Sequence, residues 1–208
     1  MKTLIMPVQD LQAVRRAIEI LESGGLVAFP TDTVYGVGAK VFDRVAVESI
    51  YTVKGRSAEK AIPVLIGDLD DLLKVTVAVP EIAFRLAAHF WPGPLTLVIP
   101  KHPDLPETVS SGPTIGVRIP SHPAALALLR LAGPMAVTSA NISGQPSSTT
   151  AQEVFTQLGG RIALILDGGT TPGGVPSTVV DCAGGEPQIL RAGPISQREI
   201  LEIIKSEL

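Results

Sequence analysis

Residues 24–60 read GGLVAFPTDTVYGVGAKVFDRVAVESIYTVKGRSAEK, and the division of this stretch into elements decides the fold. Leu26-Val27-Ala28-Phe29 is a short, wholly apolar run of the kind a buried strand uses. Pro30 stops it, and Thr31-Asp32-Thr33 follows as a polar turn. Tyr35 precedes two glycines, Gly36 and Gly38, which let the backbone approach a neighbour closely. Asp43 is placed to cap a helix whose Val47, Ile50 and Tyr51 share one face. That helix runs out at Lys54-Gly55-Arg56, with Gly55 where a left-handed residue ends a helix. Lys60 adds a third cation. Hydroxyls at the end of a buried strand thus face cations released at the end of the next helix, which predicts a concave, positively charged pocket for an anion.

The whole chain has 208 residues, 45% hydrophobic and only 18% charged, a balance that excludes disorder and supports a sizeable core. We read residues 1–208 as one domain, with its core over about residues 10–203. A net charge of −3 disfavours a chain-wide grip on nucleic acid while leaving room for a local basic patch. One cysteine, Cys182, excludes an internal disulfide and any multi-cysteine metal site. The histidines His89, His102 and His122 are scattered, without the spacing of a zinc site. No apolar run approaches a membrane span, and MKTLIMPVQDLQ lacks the apolar core of a signal peptide. The expectation is a cytoplasmic protein without a membrane contact.

Around the opening stretch, Asp10 caps a first helix with Val14, Ala17, Ile18 and Leu21 on its apolar side. Ile62 to Ile66 reads as a strand, near a sheet edge because of Pro63. Asp68 caps a short helix, and Pro80 opens another that runs to about Phe90. Leu95 to Ile99 is a strand after the rigid turn Trp91-Pro92-Gly93-Pro94. In Thr114 to Pro120, alternation puts Ile115, Val117 and Ile119 on one face and Thr114, Gly116 and Arg118 on the other. An arginine in mid-strand beside a glycine suggests a sheet face held open for a ligand. Helices follow from Ser121-Pro123 to Gly133, from the capping box Thr150/Glu153 to Gly159, and from the box Ser196/Glu199 onward. Strands are expected at Met135 to Thr138 and Ile162 to Leu166, with a hairpin pair at Ser177 to Val180 and Gln188 to Arg191. The intermixing predicts an α/β or α+β fold on an open, twisted, mixed sheet flanked by helices.

No P-loop, complete GxGxxG or GxSxG motif is present. What remains is a polar set on strand ends and loops, centred on cations and hydroxyls. Each member has a plain alternative. Lys54 can simply complement a helix C-terminus, and Arg56 and Lys60 can be solvated charges. Ser139-Ala140-Asn141 can be a self-bonded turn. Arg118 demands an anionic partner, and the internal candidates are Asp32 and Asp181.

Lys54-Gly55-Arg56 with Lys60, and Ser139-Ala140-Asn141 with Ser143-Gly144, match the KxR and SxN motifs of the YrdC-like threonylcarbamoyl-AMP synthases. Pro30 to Gly36, Trp91 to Thr96, Val117 to Pro120 and Ser177 to Asp181 resemble that family's other signature blocks, in the same order. The likeness covers nearly the whole chain. Three positions depart from it: Ser57 replaces a frequent proline, Leu65 a histidine found in some long members, and Val175-Pro176-Ser177 a common Val-Glu-Ser.

The resemblance implies a YrdC/RibB-like fold and a nucleotidyltransferase that joins L-threonine, bicarbonate or CO2, and ATP into threonylcarbamoyl-AMP and pyrophosphate. It implies Mg²⁺ with the ATP, and delivery of the product to the machinery that transfers threonylcarbamoyl to tRNA, with at most weak tRNA contact. By position it implies ATP contacts at Arg56, Lys60, Thr114, Ser139, Asn141, Ser147 and Arg191, and threonine contacts at Thr33, Arg118, Val137 and Ser177. Lys54 and Arg56 become the catalytic cations, and no residue is a dedicated metal ligand. The rival reading is an RNA-binding module that uses the same basic pocket for tRNA or double-stranded RNA without catalysis; the net acidity and an aromatic content of 4% weigh against it.

Overall fold

The computed structural model describes residues 2–205. In chain order the strands are β1 (Leu4–Pro7), β2 (Val27–Phe29), β3 (Gly36–Lys40), β4 (Val64–Leu65), β5 (Leu95–Pro100), β6 (Thr114–Arg118), β7 (Met135–Ser139), β8 (Leu164–Asp167), β9 (Thr178–Asp181) and β10 (Gln188–Arg191). They form one mixed sheet in the order β1-β8-β2-β3-β7-β4-β6-β5-β9-β10. The helices are α1 (Leu11–Glu22), α2 (Arg44–Lys54), α3 (Leu72–Val75), α4 (Glu81–Phe90), α5 (Pro123–Ala132), α6 (Ala151–Leu158) and α7 (Gln197–Lys205).

The expected boundaries reflect local chemistry. Asp10 caps α1 by accepting from the Gln12 amide, and Asp43 caps α2 by accepting from that of Ala46. Gly55 closes α2 at φ 60°, a conformation that suits glycine alone among common residues. The Ser196/Glu199 box is reciprocal, at 2.9 and 3.3 Å. The Glu153 carboxylate, in contrast, reaches back to the Thr149 amide, one residue beyond the expected box.

Period-two alternation sorts each strand between two cores. Ala28, Ala136 and Ile165 join α2, α4, α6 and α7 on one side of the sheet. Val27, Phe29, Met135, Val137, Leu164 and Leu166 join α1 and α5 on the other. The buried stripe of α1 is Ala13, Ala17, Ile20 and Leu21; Val14 and Ile18 flank it rather than centre it.

Three further expectations are corrected, for β4, Asp68 and the start of the sheet, while the close approach expected of Gly36 and Gly38 is observed. β4 sits between β7 and β6, not near an edge. Pro63 is tolerated there because it precedes the paired residues, and its carbonyl accepts from the Val137 amide at 2.9 Å. Gly36 and Gly38 lie inside β3, and what they approach is β7: a Cβ on Gly38 would fall 2.8 Å from the Ala136 carbonyl oxygen. Asp68 makes no cap bond; its carboxylate pairs Arg130 at 3.0 Å. The sheet also begins earlier than expected, with β1 at Leu4.

One asymmetry creates the site. β6 sends Ile115 and Val117 into the core beneath α2 and α4, as the alternation predicted. Its other face carries Thr114, Gly116 and Arg118. Register pairs Leu65 with Arg118 across β4 and β6, so that face continues the one covered by α1 and α5. The helices stop at Leu65, and the β6–β5 half of that face is left bare.

Candidate functional site

A cavity of about 220 Å³ occupies the bare half. Its floor is the ends of β4, β5 and β6, and its sides are Thr31, Thr33 to Gly36, Val137 to Ser139, and Pro176-Ser177. Three arginines, Arg56, Arg118 and Arg191, reach into it, and no carboxylate is among its walls. Among the described residues no group of three or more His, Cys, Asp or Glu converges as a metal cluster.

Arg118 is buried and tied on three sides. It donates from Nε to the Gly93 carbonyl (2.9 Å), from Nη1 to Thr33 Oγ1 (3.2 Å) and from Nη2 to Asp32 Oδ1 (2.6 Å). Asp32 is thus the anionic partner that a strand-face arginine required. The same oxygen also accepts from the Ser121 amide, fixing the start of α5 to the site. Three N–H groups of the guanidinium are used and two remain for a ligand. Burial lowers its pKa and Asp32 opposes that shift.

Arg191 reaches the cavity from the edge hairpin β9–β10. Its Nε and Nη2 donate to the Ser177 carbonyl (3.0 and 2.8 Å), and Nη2 also donates to Ser177 Oγ (3.1 Å). Arg56 is half-buried and anchored by Nη2 to the Ala61 carbonyl at 3.0 Å. Burial lowers the pKa of both, and the neighbouring Arg56 adds to the shift at Arg191. Arginine stays cationic at neutral pH in either setting.

Lys54 departs most from expectation. It is one of the largest fully buried side chains, and so a part of the core rather than only a complement to a helix C-terminus. Nζ donates to the carbonyls of Ser139 and Asn141, while its own carbonyl accepts from the Ser143 amide. Burial lowers its pKa from 10.5 to about 8, with Arg56 contributing. Lys54 lies outside the cavity walls and clamps the 139–143 turn. Tyr35 holds the same turn from the strand side, accepting from the Ala140 amide through its carbonyl. The Tyr35 hydroxyl donates to the Gly169 carbonyl and accepts from the Gly168 amide, which anchors the loop leading to Ser177.

Of the other expected residues, Thr33, Val137, Ser139 and Ser177 line the cavity beside the three arginines. Lys60 is exposed, and Thr114, Asn141 and Ser147 lie outside the walls. The Val137 amide is taken by the Pro63 carbonyl, so it offers no free N–H. The Asn141 amide nitrogen bonds the Ile142 and Gln145 carbonyls, leaving Oδ1 buried without a hydrogen-bond partner. Thr31 lines the cavity as the polar turn predicts, and Thr96 lines it unforeseen, its sequence signal being a lone hydroxyl at an apolar strand position. Leu65, noted as a departure, forms part of the apolar wall.

A strand-end cavity lined by three arginines and no carboxylate, on a mixed sheet flanked by helices, defines an α/β domain with a pocket suited to an anion. The chain belongs to the Sua5/YciO/YrdC family: a family model described as Sua5_yciO_yrdC, telomere recombination, matches residues 19–193. A threonylcarbamoyl-AMP synthase of Bacillus subtilis is 45% identical over 92% of this chain, and a putative one of Mycobacterium tuberculosis is 40% identical over 95%. The chain spans 56% of the Bacillus protein's length and 92% of the Mycobacterium one. Among solved structures, P. abyssi Sua5 complexed with L-threonine superposes with a TM-score of 0.92 at 41% identity, covering 98% of this chain and 60% of that one. E. coli YciO superposes at 0.84 with 28% identity, covering 96% and 98%. No helix of the described residues is long and apolar enough to cross a membrane.

Proposed function

We propose that the chain is a cytoplasmic threonylcarbamoyl-AMP synthase acting as one domain. The observation that carries this reading is the convergence of Arg56, Arg118 and Arg191 on a cavity without a carboxylate. L-Threonine adds CO2, or loses water with bicarbonate, to give an N-carboxylate. One carbamate oxygen then attacks the α-phosphorus of ATP, the α–β bridging bond breaks, and pyrophosphate leaves. The reaction brings anions together, and positioned cations offset that repulsion and the charge developing on pyrophosphate.

In this reading Arg118 spends its two spare N–H groups on the threonine carboxylate, with Thr33, Val137 and Ser177 around the amino acid. Arg56, Arg191 and Ser139 take the phosphates, assisted by Lys60 from the following loop and by Asn141 and Ser147 from the clamped turn. Thr114 lies on the Arg118 face of β6, roughly 13 Å along the strand, a reach that suits the nucleoside end. Lys54 acts by holding Ser139 and Asn141 in place. Mg²⁺ accompanies ATP as its counter-ion, held through phosphate oxygens and water, since the walls offer hydroxyls and carbonyls only. The product passes to the transfer machinery that modifies tRNA.

The RNA-binding alternative is not favoured: the arginines sit in a small cavity, whereas an RNA grip needs a basic surface that follows a backbone. Pyrophosphate release with each substrate withheld in turn tests the synthase reading. Release is expected only with ATP, threonine and bicarbonate together, and equal release without threonine would overturn it.

Arg118→Lys keeps the charge and loses the planar fork. Threonine affinity is expected to fall about tenfold or more, with ATP affinity nearly unchanged, as read by calorimetry with each ligand. A comparable loss in both would make Arg118 only the structural partner of Asp32.

A further inference from the structure

The hydroxyls of the cavity floor have a fixed polarity, which follows from counting their protons. A hydroxyl owns one proton and two lone pairs. Thr31 donates its proton to the Val34 carbonyl (2.7 Å) and also accepts from the Thr33 amide (3.2 Å). In the 3.0 Å contact between Thr31 and Thr33, the donor is therefore Thr33. Thr33 Oγ1 also accepts from Arg118. Its proton and one lone pair are used, and one lone pair remains.

The opposite side works the other way. Thr96 Oγ1 and Ser177 Oγ lie 2.8 Å apart, and Ser177 Oγ accepts from Arg191. Two hydroxyl protons meet in that pair and the contact uses one of them. Whichever residue donates, one O–H is left over. Thr33, Thr96 and Ser177 are all at most 5% exposed and all line the cavity, so it is the cavity's occupant that can take up the spare lone pair and the spare proton. Thr96 shares a sheet face with Arg118, because a Cβ on Gly116, between Thr114 and Arg118, would meet the Thr96 methyl at 3.1 Å.

We propose that Thr31 and Thr96 are positioning residues that fix this polarity: Thr33 accepts an N–H from the ligand's α-nitrogen, and the Thr96–Ser177 pair donates beside Arg118 to its carboxylate. The inference rests on the amino-acid reading of the cavity and deepens it. The floor then recognises the head of an α-amino acid whose nitrogen keeps at least one hydrogen. Threonine satisfies this before and after carboxylation, since R–NH–COO⁻ retains its N–H. The apolar wall of Leu65 and Val137 is left to the side chain.

The test is calorimetric binding of L-threonine, and of 3-hydroxybutanoate, which keeps the carboxylate and hydroxyl and lacks the nitrogen. By the same count Thr96→Val alone leaves one O–H, on Ser177, so the decisive variant is Thr96→Val with Ser177→Ala, which leaves none and should weaken both ligands about tenfold. Thr31→Val frees the Thr33 proton and should weaken threonine about tenfold while leaving 3-hydroxybutanoate unchanged. Thermal melts on each variant separate binding from folding, and Thr96→Ala with Ser177→Ala, which likewise leaves no O–H, keeps the donor arm testable if the valine double variant unfolds. Unchanged affinities in the double variant, or equal loss of both ligands in Thr31→Val, would overturn the inference. Failure of the wild-type protein to bind threonine would instead overturn the synthase reading beneath it.

Discussion

Arg56→Ala is expected to cut pyrophosphate release a hundredfold or more, the usual cost of removing a group that stabilises transition-state charge. The melting temperature should move by only a few degrees. Arg56 is half-buried, and its one well-formed tie is the bond to the Ala61 carbonyl, so the core loses little without it. Among the cavity arginines it is also the one bound neither to Asp32 nor to Ser177. A release assay beside a thermal melt decides the matter. Retained activity with an intact fold would make Arg56 an ordinary wall residue.

Two positions earlier the opposite outcome is expected. Lys54→Met strands the buried carbonyl of Asn141 and the half-buried one of Ser139, each of which now accepts from Nζ. The expected loss is about 2–4 kcal/mol, or on the order of 5–15 °C in melting temperature for a chain of this size. Activity falls with it, through a loosened 139–143 turn. A pH signature distinguishes this from a generic core defect. Lys54 titrates near 10.5 in the unfolded chain and at about 8 in the native one. Between those values the unfolded state holds a proton that the native state has shed, so this group makes stability rise with pH. Below about 8 both states are protonated and the contribution is flat. Chemical denaturation from pH 7 to 10 should show that slope in the wild type and lack it in Lys54→Met. An unchanged slope would assign the titration to another group.

The KxR motif shows what sequence can and cannot carry. Its placement at a helix end was legible, because Asp43, the apolar spacing and Gly55 are local signals. The split between a buried clamp and a cavity cation was not, since it depends on which way a long side chain turns once a distant strand has arrived. The open face was legible in the alternation of Thr114 to Arg118. The position of β4 was hidden: Pro63 signals an edge locally, while its place beside β6 and β7 is set by pairings far away in sequence. β3 was masked by Gly36 and Gly38, whose missing side chains erase the strand signal while permitting close contact with β7. Asp32 as partner of Arg118 was one of two named candidates, and only the structure chooses between them. Thr96 could not be found at all, because a single hydroxyl in a strand is ordinary until Ser177 lies against it.

The Asp32–Arg118 contact also shapes how ligands arrive. Seen from a distance the pair is a dipole, because the carboxylate cancels the guanidinium 2.6 Å away. The far field of the cavity therefore belongs to Arg56 and Arg191, and it reaches a polyanion such as a nucleoside triphosphate over about 8 Å at physiological salt and about 30 Å at 0.01 M. An amino acid zwitterion has no net charge and feels almost none of that pull. Its own two charges meet a charge pair of the protein only at contact range. In the synthase reading, then, salt should slow the arrival of the nucleotide and leave that of the amino acid almost untouched.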